Sequence, residues 1–272
     1  MADLFDVSGQ VAVITGGGGV LCSEMARALA ARGVKVAVLD INEEQAKAVA
    51  GEIKAKGGEA IAIAANVLDK ASIERARDIV LENFGTVDIL INGAGGNKAE
   101  ATVNDNMSFF DLPMDAIQWV FNLNIVGTIL PTQVFGKIMA EREKGVVINM
   151  SSMAAFRPLT RTVAYCAAKA AVSNFTQWMA VHFNHNYSPN IRVNALAPGF
   201  FLTEQNYYLL VDKETGEPTQ RGNQIISHTP VGRYGEPADL IGTLLWLISD
   251  AASFVNGVVV PVDGAFQAYS GV

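Results

Sequence analysis

Tyr165 and Lys169, separated by Cys166, Ala167 and Ala168, form the pattern Tyr-x-x-x-Lys. Across residues 162–183, Ala, Val, Phe, Trp and Met recur at helical spacing with no interior Gly or Pro, which predicts a helix. Residues four apart then share a face. An ammonium beside a phenol favours the phenolate, so the pairing predicts a Tyr165 pKa below its usual value of about 10 and a role in proton transfer. Ser152 follows an apolar run at 146–150, where a hydroxyl at a strand's carboxyl end would face the same cleft. A Tyr and a Lys four apart also occur by chance on amphipathic helices, so the surrounding elements must decide.

Those elements alternate. A β-branched run at 10–15 leads into Gly16, Gly17, Gly18 and Gly19, and 21–32 has helical periodicity. Consecutive glycines let a backbone approach a ligand closely, and the helix that follows offers free N–H groups to a phosphate. A strand at 35–39 ends in Asp40, placed for the hydroxyls of an adenosine ribose. No Arg or Lys follows Asp40 directly, so a 2'-phosphate would meet an uncompensated carboxylate and NAD is expected over NADP. Helices at 43–56 and 70–84 alternate with strands at 59–67 and 87–92, and the latter runs into Gly93, Ala94 and Gly95. This order predicts an α/β fold, a parallel sheet covered on both faces.

Residues 97–113 are polar and without period, and are expected to form a loop bordering the cleft. Residues 114–144 predict a long helix disturbed at Gly127 and kinked at Pro131, with Asn124 just before the disturbance. After the strand at 146–150 and the Tyr/Lys helix, a strand at 191–196 leads to Pro198 and Gly199. Residues 200–234 lack regular pattern and are expected to be a substrate lid with short helical pieces. A helix at 237–248 and a strand at 257–262 complete the pattern.

Composition narrows the partners. With 50% hydrophobic residues, 272 residues suffice for one large core, and a single domain over 1–272 is expected. The net charge of -7 and the lack of a Lys/Arg cluster argue against nucleic acid. Cys22 and Cys166 make no disulfide framework, and no stretch predicts a membrane span or signal, so a cytoplasmic location is expected. His182 and His185 lack further ligands in the sequence, and no metal is expected. Trp178 and Met179 are expected in the core.

Taken together, Thr15 to Gly19, Asn92-Gly93-Ala94-Gly95, Asn124, Ser152, Tyr165-x-x-x-Lys169 and Pro198-Gly199 resemble the short-chain dehydrogenase/reductase family over the whole chain. The resemblance implies a doubly wound Rossmann sheet of about seven parallel strands and a homotetramer. It also implies a catalytic tetrad of Asn124, Ser152, Tyr165 and Lys169, with Tyr165 and Lys169 also touching the cofactor. Asn66 and Val67 fall where the family holds the adenine, although Asn66 stands where Asp is common. The family's last two turn glycines fall at Val20 and Cys22, so the turn is expected to draw its flexibility from Gly17 to Gly19.

More narrowly, GGGGVLC at 16–22, NGAGGN at 92–97 and APGFFLT at 197–203 resemble bacterial D-mannonate oxidoreductases, also called fructuronate reductases. That likeness implies a sugar-acid substrate, whose carboxylate needs a cation; Lys98, Arg157 and Arg161 are the candidates, beside Ser152. The tetrad is blind to substrate, so a gluconate 5-dehydrogenase-like or 3-oxoacyl reductase-like activity shares it. A non-catalytic NAD sensor would have no need of Ser152, Tyr165 and Lys169 together.

Overall fold

The strands form where short runs of Val, Ile, Ala and Leu can be covered on both faces, as a parallel sheet requires. In the computed structural model, which describes residues 3–203, 207 and 210–271, they are β1 (Val11–Thr15), β2 (Lys35–Asp40), β3 (Ala60–Ala64), β4 (Ile89–Asn92), β5 (Gly145–Met150), β6 (Ile191–Pro198) and β7 (Val259–Val262). They make one seven-stranded sheet in the order β3-β2-β1-β4-β5-β6-β7, every neighbouring pair parallel. β1 and β4 are buried throughout, whereas the edge strands β3 and β7 are only partly covered.

Two helical layers supply that cover. Helix α1 (Val20–Ala30) and α2 (Glu43–Ala55) place Met25, Leu29, Val49 and Ile53 on one face of the sheet. On the other, α3 (Lys70–Phe84), α5 (Gly127–Glu141) and α6 (Val163–Asn186) place Ile73, Val80, Phe135, Met179 and Phe183. Asn42 and Asp69 cap α2 and α3 by accepting from Gln45 N and Ala71 N. Helix α7 (Gln220–His228) lies within the expected lid, and α8 (Ile241–Ile248) returns to the α1 side. Residues 204–206 and 208–209 of the lid lie outside the described residues. Among the described residues no helix is long and apolar enough to cross a membrane.

The long helix expected at 114–144 is divided differently. α4 (Met114–Phe121) passes into a π-helical turn at Asn122–Val126 before α5 begins, and Pro131 lies inside α5. The irregularity therefore sits around Asn124, directly before the Gly127 at which a disturbance was expected, while Pro131 is accommodated within α5. Its cause is tertiary: the Asn124 amide donates to Val120 O at 2.8 Å and to Gly96 O at 2.7 Å, holding the helix against the turn after β4. π turns widen a helix where such bonds demand it.

Parallel register puts polar residues side by side at the carboxyl ends of the central strands. Thr15 aligns with Asn92, and Asn92 with Asn149. Asn92 Nδ2 donates to Thr132 Oγ1 at 2.9 Å and to Asn149 Oδ1 at 2.8 Å, and Asn149 Nδ2 donates to Thr176 Oγ1 at 2.9 Å. Thr132 donates to Thr128 O at 2.8 Å, and Thr128 to Asn124 O at 2.7 Å. All of these side chains are buried. An unbroken polar chain thus joins the π turn to α6 through two strands. Removing its middle leaves donors and acceptors stranded in the core, at about 1–3 kcal/mol for each. Asn149→Ala should therefore cost at least about 2 kcal/mol, read as a lower urea midpoint; an unchanged midpoint would show that the chain contributes no stability.

Candidate active site

The two glycine turns meet at the carboxyl end of the sheet. Thr15 Oγ1 accepts from Gly93 N at 3.1 Å and Ala94 N at 3.3 Å, tying the turn after β4 to the end of β1. Gly16 has φ +63, and a Cβ there would lie 2.9 Å from Ala94 Cα, so this position admits no side chain. The flexibility expected of Gly17 to Gly19 is not what the turn uses: none of the three has positive φ. Gly17 and Gly18 are required by closeness instead, since added Cβ atoms would lie 2.8 Å from Val38 Cγ1 and 2.7 Å from Gln45 Cβ. Val20 opens α1, whose N-terminus carries no side-chain cap, and Cys22 is buried directly under Gly93. Burial, reinforced by the Asp40 charge, pushes the Cys22 thiol up to about 12 and keeps it neutral.

Asp40 is buried at the end of β2, with Oδ2 accepting from Gly18 N at 3.0 Å and Oδ1 from Asn42 N at 2.9 Å. Each oxygen keeps a lone pair for a further donor. The uncapped α1 N-terminus, the close-packed glycines and this carboxylate fit the phosphates and adenosine ribose of a dinucleotide. Asn66 follows β3 with its Oδ1 turned to Leu68 N, and Val67 packs near Gly127. Asn92 directs its amide into the interior chain, so only its backbone faces the cleft side. Pro198 ends β6, and Gly199 lies against Asp263.

The four expected catalytic groups converge. A Cβ on Gly95 would lie 2.8 Å from Asn124 Oδ1 and 3.1 Å from Lys169 Nζ, so both flank the open face of that glycine. Asn124 Oδ1 also accepts from Gly96 N at 3.2 Å. Lys169 is buried on α6, donates to Met150 O at 2.8 Å, and sits 5.6 Å from the centre of the Tyr165 ring. Ser152 caps a short 3-10 turn by accepting from Ala154 N at 3.1 Å, and its hydroxyl hydrogen-bonds the Tyr165 phenol.

Electrostatics reverse one expectation. Burial, the dominant influence, raises the Tyr165 pKa, and the bond from Ser152 only partly offsets it. Burial also lowers Lys169 to about 8. In the protein alone the first proton to leave on raising pH therefore leaves Lys169, not Tyr165. The expected depression of Tyr165 took account of the neighbouring charge and not of the desolvation that both groups share.

The candidate substrate cations are dispersed. Lys98 stands over the Trp119 ring at 5.7 Å, and Arg157 Nε donates to Gln267 O at 3.0 Å. Arg161 lies in the turn before α6, where its carbonyl accepts from Val103 N at 2.9 Å. Arg221, which the sequence reading missed, is the second residue of α7 and within electrostatic reach of Arg161. The available signal was Thr219, a good N-cap residue before an unassigned segment. The surface also corrects one core assignment: Trp178 is 57% exposed and stacks on His182, while Met179 is buried.

Comparison with known proteins agrees with this architecture. Residues 10–213 match the short chain dehydrogenase family. The chain belongs to that family. It is 51% identical to the uncharacterized oxidoreductase UxuB of Bacillus subtilis (strain 168), over 98% of each chain. It is 33% identical to the 7alpha-hydroxysteroid dehydrogenase of Escherichia coli (strain K12), over 97% of this chain and 96% of that one. Among solved structures, a Haemophilus influenzae protein crystallised with NAD, provisionally described as a D-mannonate oxidoreductase, is 50% identical with a TM-score of 0.92, over 98% of each chain.

Ultraviolet titration tests the electrostatics of this short-chain dehydrogenase. Because burial disfavours the charged phenolate, the difference in tyrosinate absorbance between wild type and Tyr165→Phe without cofactor should appear only above pH 10. A Tyr165-dependent signal near pH 7 would contradict it.

Proposed function

We propose that this chain is an NAD-dependent oxidoreductase interconverting a sugar-acid ketone and its alcohol, D-fructuronate and D-mannonate. The observation that carries the reading is the half-identity, over nearly the whole length, to the Haemophilus protein crystallised with NAD and provisionally described as a D-mannonate oxidoreductase. The convergence of Ser152, Tyr165 and Lys169 supports chemistry at a carbonyl. A bound nicotinamide cofactor supplies or accepts the hydride.

The chain's own residues handle the proton. In the reducing direction Ser152 donates a hydrogen bond to the carbonyl oxygen, polarising it, and Tyr165 delivers its phenolic proton to the same oxygen. The raised pKa of Tyr165 keeps it protonated until then. Lys169 has one donor committed to Met150 O, leaving its others for the cofactor ribose and for stabilising the phenolate left behind. Its own pKa of about 8 lets it resupply a proton at neutral pH. Asn124 holds Gly96 with both edges of its amide and so fixes the wall opposite Lys169.

The reading includes one domain over the whole chain, a homotetramer and a cytoplasmic location. A groove of about 610 Å³ between α5 and α6, lined by Phe175, Trp178, Met179 and Tyr187, supports association of copies.

Turnover of a panel of hexuronates, neutral ketoses and acyl thioesters with NADH and NADPH tests the proposal. D-fructuronate should be the best substrate, and NADH should exceed NADPH in kcat/KM on the order of tenfold or more, because Asp40 repels a 2'-phosphate. Tyr165→Phe should lower kcat about a hundredfold or more with NADH affinity retained. Preference for a thioester, or equal rates with both cofactors, would overturn the corresponding part.

A further inference from the structure

The segment after β7 folds back onto the site. Asp263 accepts from Ala265 N at 3.0 Å through Oδ1 and from Gln267 N at 2.9 Å through Oδ2, which winds the following residues into a turn. Ala265 there has φ +69, a conformation that a residue with a Cβ keeps only where its surroundings impose it. Three separate parts of the fold impose it. Arg157 Nε, from the connection between Ser152 and Tyr165, donates to Gln267 O at 3.0 Å. Val231 N, just beyond α7, donates to Gly264 O at 3.3 Å, and a Cβ on Gly264 would lie 2.9 Å from Thr229 Cγ2. A Cβ on Gly199, the residue after β6, would lie 2.6 Å from Asp263 Cβ.

The turn carries Phe266, whose ring stands between lid and floor. On the lid side it lies 4.8 Å from the His228 ring at the end of α7 and packs against the cluster of Leu210, Val211 and Ile225. On the floor side it packs against Met153, Ala154 and Cys166, the cluster that Tyr165 borders. Phe200 packs against both clusters as well and meets Phe266 at 5.1 Å, while Tyr269 reaches His228 at 5.0 Å. Met153 and Ala154 belong to the short turn that Ser152 caps. Ala154 N donates to Ser152 Oγ at 3.1 Å, which takes up one acceptor position and leaves the hydroxyl proton for the Tyr165 phenol. A shift of that turn therefore moves the Ser152 hydroxyl.

We propose that Phe266 is a positioning residue for the reaction, clamping α7 to the turn that orients Ser152. The inference rests on the reading of Ser152 as the group that polarises the carbonyl, and it assigns closure of the cleft to the chain's own tail. With the ring in place the turn after Ser152 is backed by apolar surface. Without it, Ser152 loses that backing and α7 loses a ring that joins it to the floor. A displacement of about 1 Å in a group that must meet the transition state lowers a rate by as much as about a hundredfold.

Amide hydrogen exchange and steady-state kinetics of wild type, Phe266→Ala, Phe266→Leu, Ser152→Ala and the Ser152→Ala/Phe266→Ala double variant test it. Phe254→Ala, at an exposed ring outside both clusters, is the control. Kinetics use the ketone of the panel that wild type reduces best, with NADH affinity measured in parallel. In Phe266→Ala the α7 amides should exchange on the order of tenfold faster. Its kcat should fall about tenfold or more, and Phe266→Leu should lie between it and wild type in both readouts. Because Phe266 acts through Ser152, adding Phe266→Ala to Ser152→Ala should lower kcat by no more than about twofold. NADH affinity in every variant, and all constants of Phe254→Ala, should stay within about twofold of wild type. Unchanged α7 exchange in the folded variant with the shortest side chain overturns the clamp even if D-fructuronate is reduced. Losses that multiply in the double variant overturn the positioning role. If wild type prefers another ketone while these shifts appear, the named substrate fails and the clamp stands. A wild type that reduces no ketone overturns the carbonyl reading and the positioning role with it.

Discussion

The buried amide of Asn124 is the constraint on which the site depends. It bonds backward to Val120 O within its own helix and across to Gly96 on both edges, and the helix widens into a π turn to allow it. The Asn124 carbonyl then anchors Thr128, and the chain runs on through Thr132, Asn92 and Asn149 to Thr176. Thr176 lies on α6 two helical turns beyond Lys169. The positions of Asn124 and of the Tyr165/Lys169 helix are thus fixed against the same two strands. Interior hydrogen bonds of this kind add modest net stability but are expensive to break, which makes them effective at specifying one arrangement.

Placing Lys169 at the end of that framework creates the site's electrostatic character. Its ammonium is buried with the carbonyl of Met150 as its acceptor, and desolvation brings its pKa to about 8. Desolvation also raises Tyr165. In the proposed reaction this leaves the phenol protonated and the amine able to exchange. Phe200 and Phe266 pack against both the cluster that Tyr165 borders and the cluster that holds Ile225 of α7, so the floor of the site and α7 share one apolar contact.

Much of this was legible in the sequence because it is local. The apolar runs of β1, β2 and β4, the glycine turn and Asp40 fall in an order that only a parallel α/β sheet satisfies, and the family pattern of Asn, Ser, Tyr and Lys is spread over elements that the sheet brings together. Features set by tertiary contact were not. The π turn arises from the bond between Asn124 and Gly96; the sequence marked a disturbance at Gly127, directly after it, and a kink at Pro131, but not the π form. The pKa of Tyr165 depends on how deeply α6 is buried, which no pairwise spacing reveals. Trp178 has core chemistry but lies on the outer side of α6. Arg221 sits in a segment with little apolar period, so nothing in the pattern singled it out.

Transfer of hydride to a sugar-acid carbonyl is tested most directly by following the label from NADH deuterated at the nicotinamide transfer position during reduction of D-fructuronate in ordinary water. The account requires one deuterium per product molecule, carbon-bound at the new carbinol centre of D-mannonate, with none washed out to solvent. Product formed without deuterium from either face of the nicotinamide, or no product at all, would contradict it.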